Sequence, residues 1–346
     1  MAHKNRIICL ITIVCLLIGL NASVSAGPGA QGKDKSEKSK KQKKDKDADK
    51  DKADDSSAGH PVLWEEPTNI ESRDLFNGPG GAAGAPDLSS KFTFMGRDKK
   101  GTSEKIYVDD DKSREWIVKF GPEAKPETAA TRIVWAVGYH VDQDYFVKRT
   151  HIEGRGGFDV WDVRFKRRHY GFKDEGLWSW HSNPFMGTRE LQGLKVLMAL
   201  TNNWDLKLDN NKIVRPDKKS GLDRSERIYY VGDLGATFGS TGSFFSKIPG
   251  FGNAPAGTKG DPQGYASQPF INGTRNGQVI FNYKGKDPKA LEGITVDNAR
   301  WMGSLLGRLS DKQISDAFRA AGYDDSDVSI YLRAMRDRIN QLKNLK

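Results

Sequence analysis

The sequence is poor in cysteine, and both of its cysteines lie at one end. Cys9 and Cys15 fall within the first 26 of 346 residues, in a segment that we expect to be removed from the mature protein. The remaining chain then contains no cysteine, which excludes disulfide bonds and cysteine-bound metals. A hydrophobic core of ordinary size must therefore hold the fold together.

The motifs of several common enzyme classes are also missing. The histidines show no H-x-x-x-H or H-E-x-x-H spacing, so a zinc site of that kind is not expected. The chain has no G-x-S-x-G motif, which argues against a hydrolase with a nucleophile elbow. It also has no internal repeat.

The first segment has the pattern of a secretory signal. Lys4 and Arg6 precede an apolar run over residues 7–20, and Val24 and Ala26 supply small residues for a cleavage site. We expect a signal peptide over residues 1–26, cleaved near Ala26, with export to the periplasm or the medium. An uncleaved N-terminal anchor is the alternative interpretation.

Residues 27–59 consist largely of lysine, aspartate and serine. Such a segment buries too little apolar surface to offset its chain entropy, so we expect a disordered tether. The chain carries a formal net charge of +10, but the opposite charges of the tether nearly cancel. We therefore expect no nucleic acid partner, although the tether could contact an anionic cell envelope.

The rest of the chain divides into two parts of different composition. Alternating or β-branched runs predict strands at 91–96, 105–110, 115–121, 144–149 and 158–168, with the first three forming an antiparallel meander. A short helix is predicted from Pro126 to Gly138 between them. We expect a β-rich N-lobe over residues 60–170.

The second part, residues 171–346, is predicted to be a mainly helical C-lobe with one hairpin. Thr188 caps a predicted helix over 189–203, and Ser310 with Gln313 forms a capping box before another. Strands at 212–214 and 227–235 predict the hairpin, and a Gly/Pro/Ser-rich loop is predicted over 239–277. The predicted fold class is thus α+β with two lobes.

Candidate catalytic residues cluster in the stretch "DLKLDN", directly after a predicted helix. It places Asp205, Lys207 and Asn210 two and then three residues apart, and "DLG" places Asp233 at the end of a predicted strand. Phosphoryl transfer requires such groups: a base, a cation for the phosphoryl group, and oxygen ligands for Mg²⁺.

On these motifs the sequence resembles the protein kinase-like superfamily. The resemblance implies that Asp205 is the catalytic base, that Lys207 contacts the γ-phosphate, and that Asn210 and Asp233 ligate Mg²⁺. It further implies ATP as the nucleotide, with a hydroxyl on protein, sugar or lipid as acceptor.

The same resemblance assigns the front half of the site. Lys119, at the end of a predicted strand, would pair with Glu127 and contact the α- and β-phosphates. The loop "MGRDKKGTS" would cover the phosphates through Gly96 and Gly101.

The sequence departs from ordinary members of the superfamily. Asn203 and Trp204 replace the first two residues of H-R-D, no G-x-G-x-x-G or A-P-E motif is present, and Glu127 follows Lys119 by only eight residues. These departures resemble atypical branches: HipA-like, lipid-kinase-like or secretory-pathway Fam20-like enzymes. The chain also resembles a set of exported bacterial proteins, which by itself implies no activity.

Each motif also has an ordinary structural interpretation. "DLKLDN" is a common loop at the end of a helix, Lys119 can be a solvated strand residue, and Glu127 suits the first turn of any helix. Two other functions therefore stay open. The protein could be a catalytically inactive kinase-like binding or scaffold module, or an envelope protein that acts through its tether.

Overall fold

The computed structural model describes residues 59–98, 103–168, 171–242 and 257–346. The predicted signal peptide, nearly all of the predicted tether and Gly101 lie outside the described residues. The strands are β1 (His60–Val62), β2 (Phe92–Asp98), β3 (Lys105–Asp110), β4 (Glu115–Lys119), β5 (Asp144–Glu153), β6 (Phe158–Arg167), β7 (Phe172–Gly176), β8 (Asn211–Pro216), β9 (Glu226–Val231), β10 (Ile271–Arg275) and β11 (Gln278–Phe281). The helices are α1 (Gly81–Gly84), α2 (Ala124–Ala136), α3 (Arg189–Leu200), α4 (Pro262–Ser267), α5 (Val296–Gly307), α6 (Asp311–Ala320) and α7 (Asp325–Lys343).

Five strands of the first part close into a barrel in the order β2-β3-β4-β6-β5. The antiparallel pairing of β2 with β3 and of β3 with β4 agrees with the predicted meander. Closure comes from a parallel pairing of β2 with β5, in which Phe92 lies opposite Ile152. The β4–β6 register places Lys119 opposite Arg164, so both side chains lie on the same face of the sheet.

Helix α2 packs against β5 and β6 of the barrel and against α6 of the second part. Its residues Ala130, Ile133 and Val134 are fully or almost fully buried, as their shared face predicts. The helix begins at Ala124, two residues before the predicted start. It ends before Gly138, which has a φ of 101°. A Cβ at this position would lie 2.2 Å from the carbonyl oxygen of Glu65, so only glycine fits.

A second sheet has the order β1-β9-β8-β7. The antiparallel pairing of β8 with β9 agrees with the predicted hairpin. Two strands of this sheet were not predicted: β7, which pairs with β8, and β1, which pairs in parallel with β9. Strand β9 ends at Val231, immediately before Gly232 and Asp233. The place of β9 in this sheet therefore sets the position of Asp233.

The remainder is mainly helical, in agreement with the predicted α+β content. Thr188 accepts a hydrogen bond from the N–H of Leu191 at the start of α3, and the capping box of Ser310 and Gln313 opens α6. The prediction of one long loop over 239–277 is wrong in its described part. Helix α4 and strand β10 lie there, because β10 finds a partner in β11 that local composition does not reveal.

Two hydrophobic clusters make up the core of the described residues. One fills the barrel and includes Trp116 and Phe165, and the other joins α2, α3, α5, α6 and α7. Within the described ranges, none of the helices combines the length and the apolarity that crossing a membrane requires.

Candidate functional site

Lys119 occupies the centre of a buried group of carboxylates. Its Nζ lies 3.0 Å from Glu127 Oε2 and 3.4 Å from Asp233 Oδ1, and it also forms an ion pair with Glu123. The lysine is 2% exposed. We call Lys119, Glu123, Glu127 and Asp233 the Lys119 cluster. Burial disfavours the charged lysine, but the surrounding carboxylates outweigh this effect and raise the pKa of Lys119.

Three separate elements bring the members of this cluster together. Lys119 is the last residue of β4, Glu127 lies in the first turn of α2, and Asp233 follows β9. The Lys119–Asp233 contact joins residues 114 positions apart. Burial opposes ionisation of Asp233, but Lys119 and the N–H of Gly235 lower its pKa to about 2. The Asp233 side chain is 38% exposed, so it lies at the open side of the cluster.

Buried charges continue from Glu127 into the barrel. Arg164 lies 2.5 Å from Glu127 and 3.1 Å from Asp144, and each of these three side chains is at most 2% exposed. Burial raises the pKa of Glu127, while Arg164 and Lys119 oppose that shift. The alternation of signs from Asp144 through Arg164 and Glu127 to Lys119 compensates each charge where water cannot reach it.

Glu123 is a member of the site that the sequence analysis missed. Besides Lys119 it contacts Lys259 and accepts a 2.9 Å hydrogen bond from Ser103. Its position four residues after Lys119 is the available sequence signal, although the residues between them form a turn rather than a helix. Through Lys259, Glu123 connects the cluster to the segment that follows Asp233 in the chain.

The carboxylates of Glu123, Glu127 and Asp233 lie within 4.8 Å of one another, a spacing that a metal ion could bridge. The Lys119 ammonium already contacts all three, so it is itself the compensating cation. Asp233 lies at the exposed edge of the cluster, and Asn210 is the other predicted metal ligand. The backbone brings these two residues together, since the N–H of Gly232 donates to the Asn210 carbonyl at 2.7 Å.

Asp205 lies in a loop, residues 203–210, that follows α3; we call it the Asp205 loop. Lys207 Nζ lies 2.9 Å from Asp205 Oδ2, and Asn210 donates to the Asp205 carbonyl at 2.7 Å. None of these contacts was predicted, and a third comes from a residue outside the motifs: Lys286 Nζ lies 2.8 Å from Asp205 Oδ1. Burial opposes ionisation of Asp205, but the two lysines lower its pKa.

The residues that replace H-R in the H-R-D pattern have structural contacts of their own. Asn203 is fully buried, and its Oδ1 accepts a 3.2 Å hydrogen bond from the Asp205 N–H. Trp204 is 5% exposed and donates through Nε1 to the carbonyl of Thr258 at 2.9 Å. The Trp204 N–H donates to the carbonyl of Ala236 at 3.1 Å. The Asp205 loop is thus bonded to the segment after Asp233, which explains how the two motifs come together.

The two predicted phosphate-loop glycines have different outcomes. Gly96 lies in β2 beside an irregularity in its pairing with β3, and an added Cβ would meet only Tyr107, at 3.8 Å. A glycine is therefore not sterically required there. Gly101 lies outside the described residues. The role of both glycines stays a prediction, as do the roles of the other site residues.

A cavity of about 500 Å³ adjoins the Asp233 end of this arrangement. Its walls include Ile117 of β4, Lys166 of β6, and Lys212 and Tyr230 of the β8–β9 hairpin, and it reaches Gly232. Asp142, another lining residue, lies 2.8 Å from Lys166 Nζ. No local pattern in the sequence marks these lining residues, because they come from five separate segments that meet only in the folded chain.

Comparison with known proteins gives distant likenesses. No model of a known protein family matches the chain, and no curated protein matches it. Among solved structures, the proinflammatory kinase CtkA of Helicobacter pylori is 12% identical, with a TM-score of 0.39; the match covers 75% of this chain and 94% of that one. The Rio2 kinase–ADP/Mg²⁺–phosphoaspartate complex from Chaetomium thermophilum is 12% identical with a TM-score of 0.26, covering 72% of each chain. At these values, neither likeness assigns a fold or an activity to the chain.

Proposed function

We propose that the protein is a protein-kinase-like phosphotransferase that moves the γ-phosphoryl group of ATP to a hydroxyl acceptor. The observation that carries this proposal is the contact of Lys119 with both Glu127 and Asp233. A lysine braced by a helix carboxylate, next to an acid that follows a hairpin, is the arrangement by which protein kinases hold nucleotide phosphates and a metal. The proposed fold is bilobal, with residues 60–170 and 171–346 on either side of that contact.

In this proposal each half of the site has one task. Lys119, held by Glu127, contacts the nucleotide phosphates, and Gly96 and Gly101 cover them. Asp233 and Asn210 supply the carboxylate and carboxamide oxygens that Mg²⁺ prefers. Bound ATP would supply the phosphoryl group and leave as ADP, and Mg²⁺ would neutralise part of the phosphate charge.

The Asp205 loop serves the acceptor side. Asp205 takes the proton of the acceptor hydroxyl, and Lys207, which holds Asp205 Oδ2, contacts the transferred phosphoryl group. The nucleotide base occupies the cavity beside Gly232, which has a volume suited to a ligand of that size.

The branch and the location are part of the same proposal. Asn203 and Trp204 in place of H-R favour an atypical branch, whether HipA-like, lipid-kinase-like or Fam20-like. Export rests on the sequence of residues 1–26, and contact with the cell envelope rests on the lysine-rich tether. ATP is scarce outside the bacterial cytoplasm, so an exported enzyme of this kind needs a compartment that is supplied with nucleotide.

A catalytically inactive binding module is the second candidate. It is favoured by the two ion pairs of Asp205, which engage both oxygens of the proposed base. Such a protein would bind nucleotide through the Lys119 cluster without transferring phosphate.

Nucleotide binding and transfer can be tested separately. We expect Mg²⁺–ATP to raise the melting temperature of the wild type by mass action on the folded state. Asp233→Asn should abolish the magnesium-dependent part of this shift, and Asp205→Asn should retain the shift but lose phosphotransfer. Asp209→Asn is the matched control, because Asp209 is an exposed acid of the same loop.

A wild type that shows no magnesium-dependent shift contradicts the whole proposal. A shift that survives Asp233→Asn contradicts the metal role of that residue. Binding without measurable transfer to protein, sugar or lipid hydroxyls favours the second candidate.

A further inference from the structure

Lys286 is held next to Asp205 by a local structure built for close approach. Its N–H donates to the Trp204 carbonyl at 2.7 Å, and residues 205 and 286 form a parallel β-bridge. The hydroxyl of Tyr283 donates to the carbonyls of both Asn203 and Lys286, at 2.8 and 3.0 Å. The segment 283–286 is thus bonded to the Asp205 loop at both of its ends, through the Tyr283 hydroxyl and the Lys286 N–H.

Gly285 allows this approach. A Cβ at residue 285 would lie 2.3 Å from the Tyr283 hydroxyl and 2.6 Å from the Trp204 Cα. Any other residue would push the segment away from the loop. The position of Lys286 is therefore a defined feature of the fold, although the side chain itself is 52% exposed.

Two ammonium groups share the single carboxylate of Asp205. Lys207 lies at Oδ2 and Lys286 at Oδ1, and their side chains are 43% and 52% exposed, whereas that of Asp205 is 14% exposed. One negative charge cannot compensate two positive ones. The neighbouring Lys259 adds no compensation, since it is itself a cation paired with Glu123.

The other nearby acids leave this surplus in place. Asp233 and the exposed Asp209 act on Lys207 only through the longer-range electrostatic field, and the ion pair of Asp233 is with Lys119. The next acid along the segment, Asp287, lies 2.8 Å from His181 Nε2, in a contact separate from the Lys286–Asp205 ion pair. A positive charge therefore remains at the accessible side of Asp205, where an anion can reach it.

We infer that Lys286 is an anion-binding residue, and that with Lys207 it forms a lysine pair that takes an oxyanion at the accessible side of Asp205. The ligand is a phosphate or carboxylate group. It comes either from the terminal phosphoryl group of a nucleotide or from an acidic group next to the acceptor hydroxyl. This inference deepens the proposed function and supplies it with a residue that the kinase-like motifs do not include.

The anion site can be measured without any enzymatic assay. The probe is sodium tripolyphosphate, titrated calorimetrically at low salt into the full chain. We expect Lys286→Gln to weaken its binding about tenfold, the loss typical of one charge-assisted hydrogen bond, and Lys286→Arg to retain most of it. Lys284→Gln is the matched control, because Lys284 is an exposed lysine two residues away on the same segment.

Further titrations identify the source of the oxyanion. If it is the terminal phosphoryl group, Lys286→Gln weakens Mg²⁺–ATP but not Mg²⁺–ADP. If it belongs to the acceptor, the variant binds both nucleotides normally but loses affinity for a glutamate-flanked serine peptide relative to its glutamine-flanked counterpart. Either pattern supports the inference.

The inference is overturned if the wild type binds none of these oxyanions, or if the folded Lys286→Gln protein binds all of them as the wild type does. Its failure is distinguishable from failure of the proposed function. Lys286-dependent binding of tripolyphosphate with no binding of Mg²⁺–nucleotide would retain the anion site and reject the phosphotransferase. Wild-type binding of Mg²⁺–nucleotide, with Lys286→Gln matching the wild type for tripolyphosphate, both nucleotides and the glutamate-flanked peptide, would do the reverse.

Discussion

Replacing Lys119 with methionine removes an ammonium group from a buried cluster and keeps most of the side-chain volume. Loss of one partner of a buried ion pair costs about 3–5 kcal/mol, because a charge is left uncompensated. Here Glu127 keeps Arg164 and Glu123 keeps Lys259, while Asp233 is 38% exposed and can be hydrated. We therefore expect the lower end of the range, about 3 kcal/mol of unfolding free energy.

The loss should depend on pH in a defined direction. Burial already raises the pKa of Glu127 above its ordinary 4.5, and removal of Lys119 raises it further. Protonated Glu127 is neutral and needs no compensating charge, so low pH favours the folded form of the variant. That contribution is lost as the pH rises through the raised pKa. The deficit of Lys119→Met is thus smallest in acid and grows towards alkaline pH.

Urea unfolding of the wild type and Lys119→Met at about pH 5 and about pH 8 measures this difference. Lys148→Met is the control: it breaks an exposed ion pair with Asp162 on the same barrel and should cost at most about 1 kcal/mol at either pH. A deficit for Lys119→Met no larger than that of the control, or one that shrinks as the pH rises, would refute the reasoning.

Three further predictions concern the framework around the site. Asp110→Asn should cost about 2 kcal/mol at neutral pH: burial opposes ionisation of Asp110, but hydrogen bonds outweigh this and lower its pKa. The stability that ionised Asp110 contributes is present above the ordinary pKa of an aspartate and is lost as the pH falls. The unfolding free energies of the variant and the wild type, measured with urea, should therefore converge in acid, and a constant difference between them would contradict this. Arg338→Met leaves the Leu200 carbonyl and other acceptors without their donor. It should lower the unfolding free energy, measured by denaturation, by about 3 kcal/mol. The control Arg333→Met replaces an exposed arginine and should lower it hardly at all; equal losses for the two variants would contradict the role of burial. Gly138→Ala, at a φ of 101°, should lower the unfolding free energy by at least about 2 kcal/mol; a melting temperature equal to that of the wild type would exclude strain there.

Local patterns were sufficient for most elements of the fold. The alternation in 105–110 and 115–119 is visible along the chain, since one face of each strand is buried in the barrel, and β3 and β4 match it. Capping at Thr188 and Ser310 depends on residues three positions apart and was likewise readable. The strands β1, β7, β10 and β11 were missed because their pairing partners, rather than their composition, stabilise them.

The candidate site shows the same division. The motif residues Asp205, Asn210 and Asp233 could be named from their spacing, and their proximity follows from the hairpin between them. Glu123 carried only a weak signal, its place four residues after Lys119. Lys286 carried none, because it lies 81 positions beyond Asp205 in a segment with no motif.

The sequence by itself determined the kinds of chemical group that this protein offers, the elements β2–β6, β8, β9, α2, α3 and α6, and the motifs "DLKLDN" and "DLG". Only the tertiary structure decided which charges meet: that Lys119 contacts three carboxylates, and that Asp205 is shared by Lys207 and Lys286. The physical reason is that electrostatic pairing depends on distance and burial in three dimensions. Here the closure of the barrel and the contacts of the 283–286 segment set these distances and this burial. No local stretch of the sequence shows the barrel closure or these contacts.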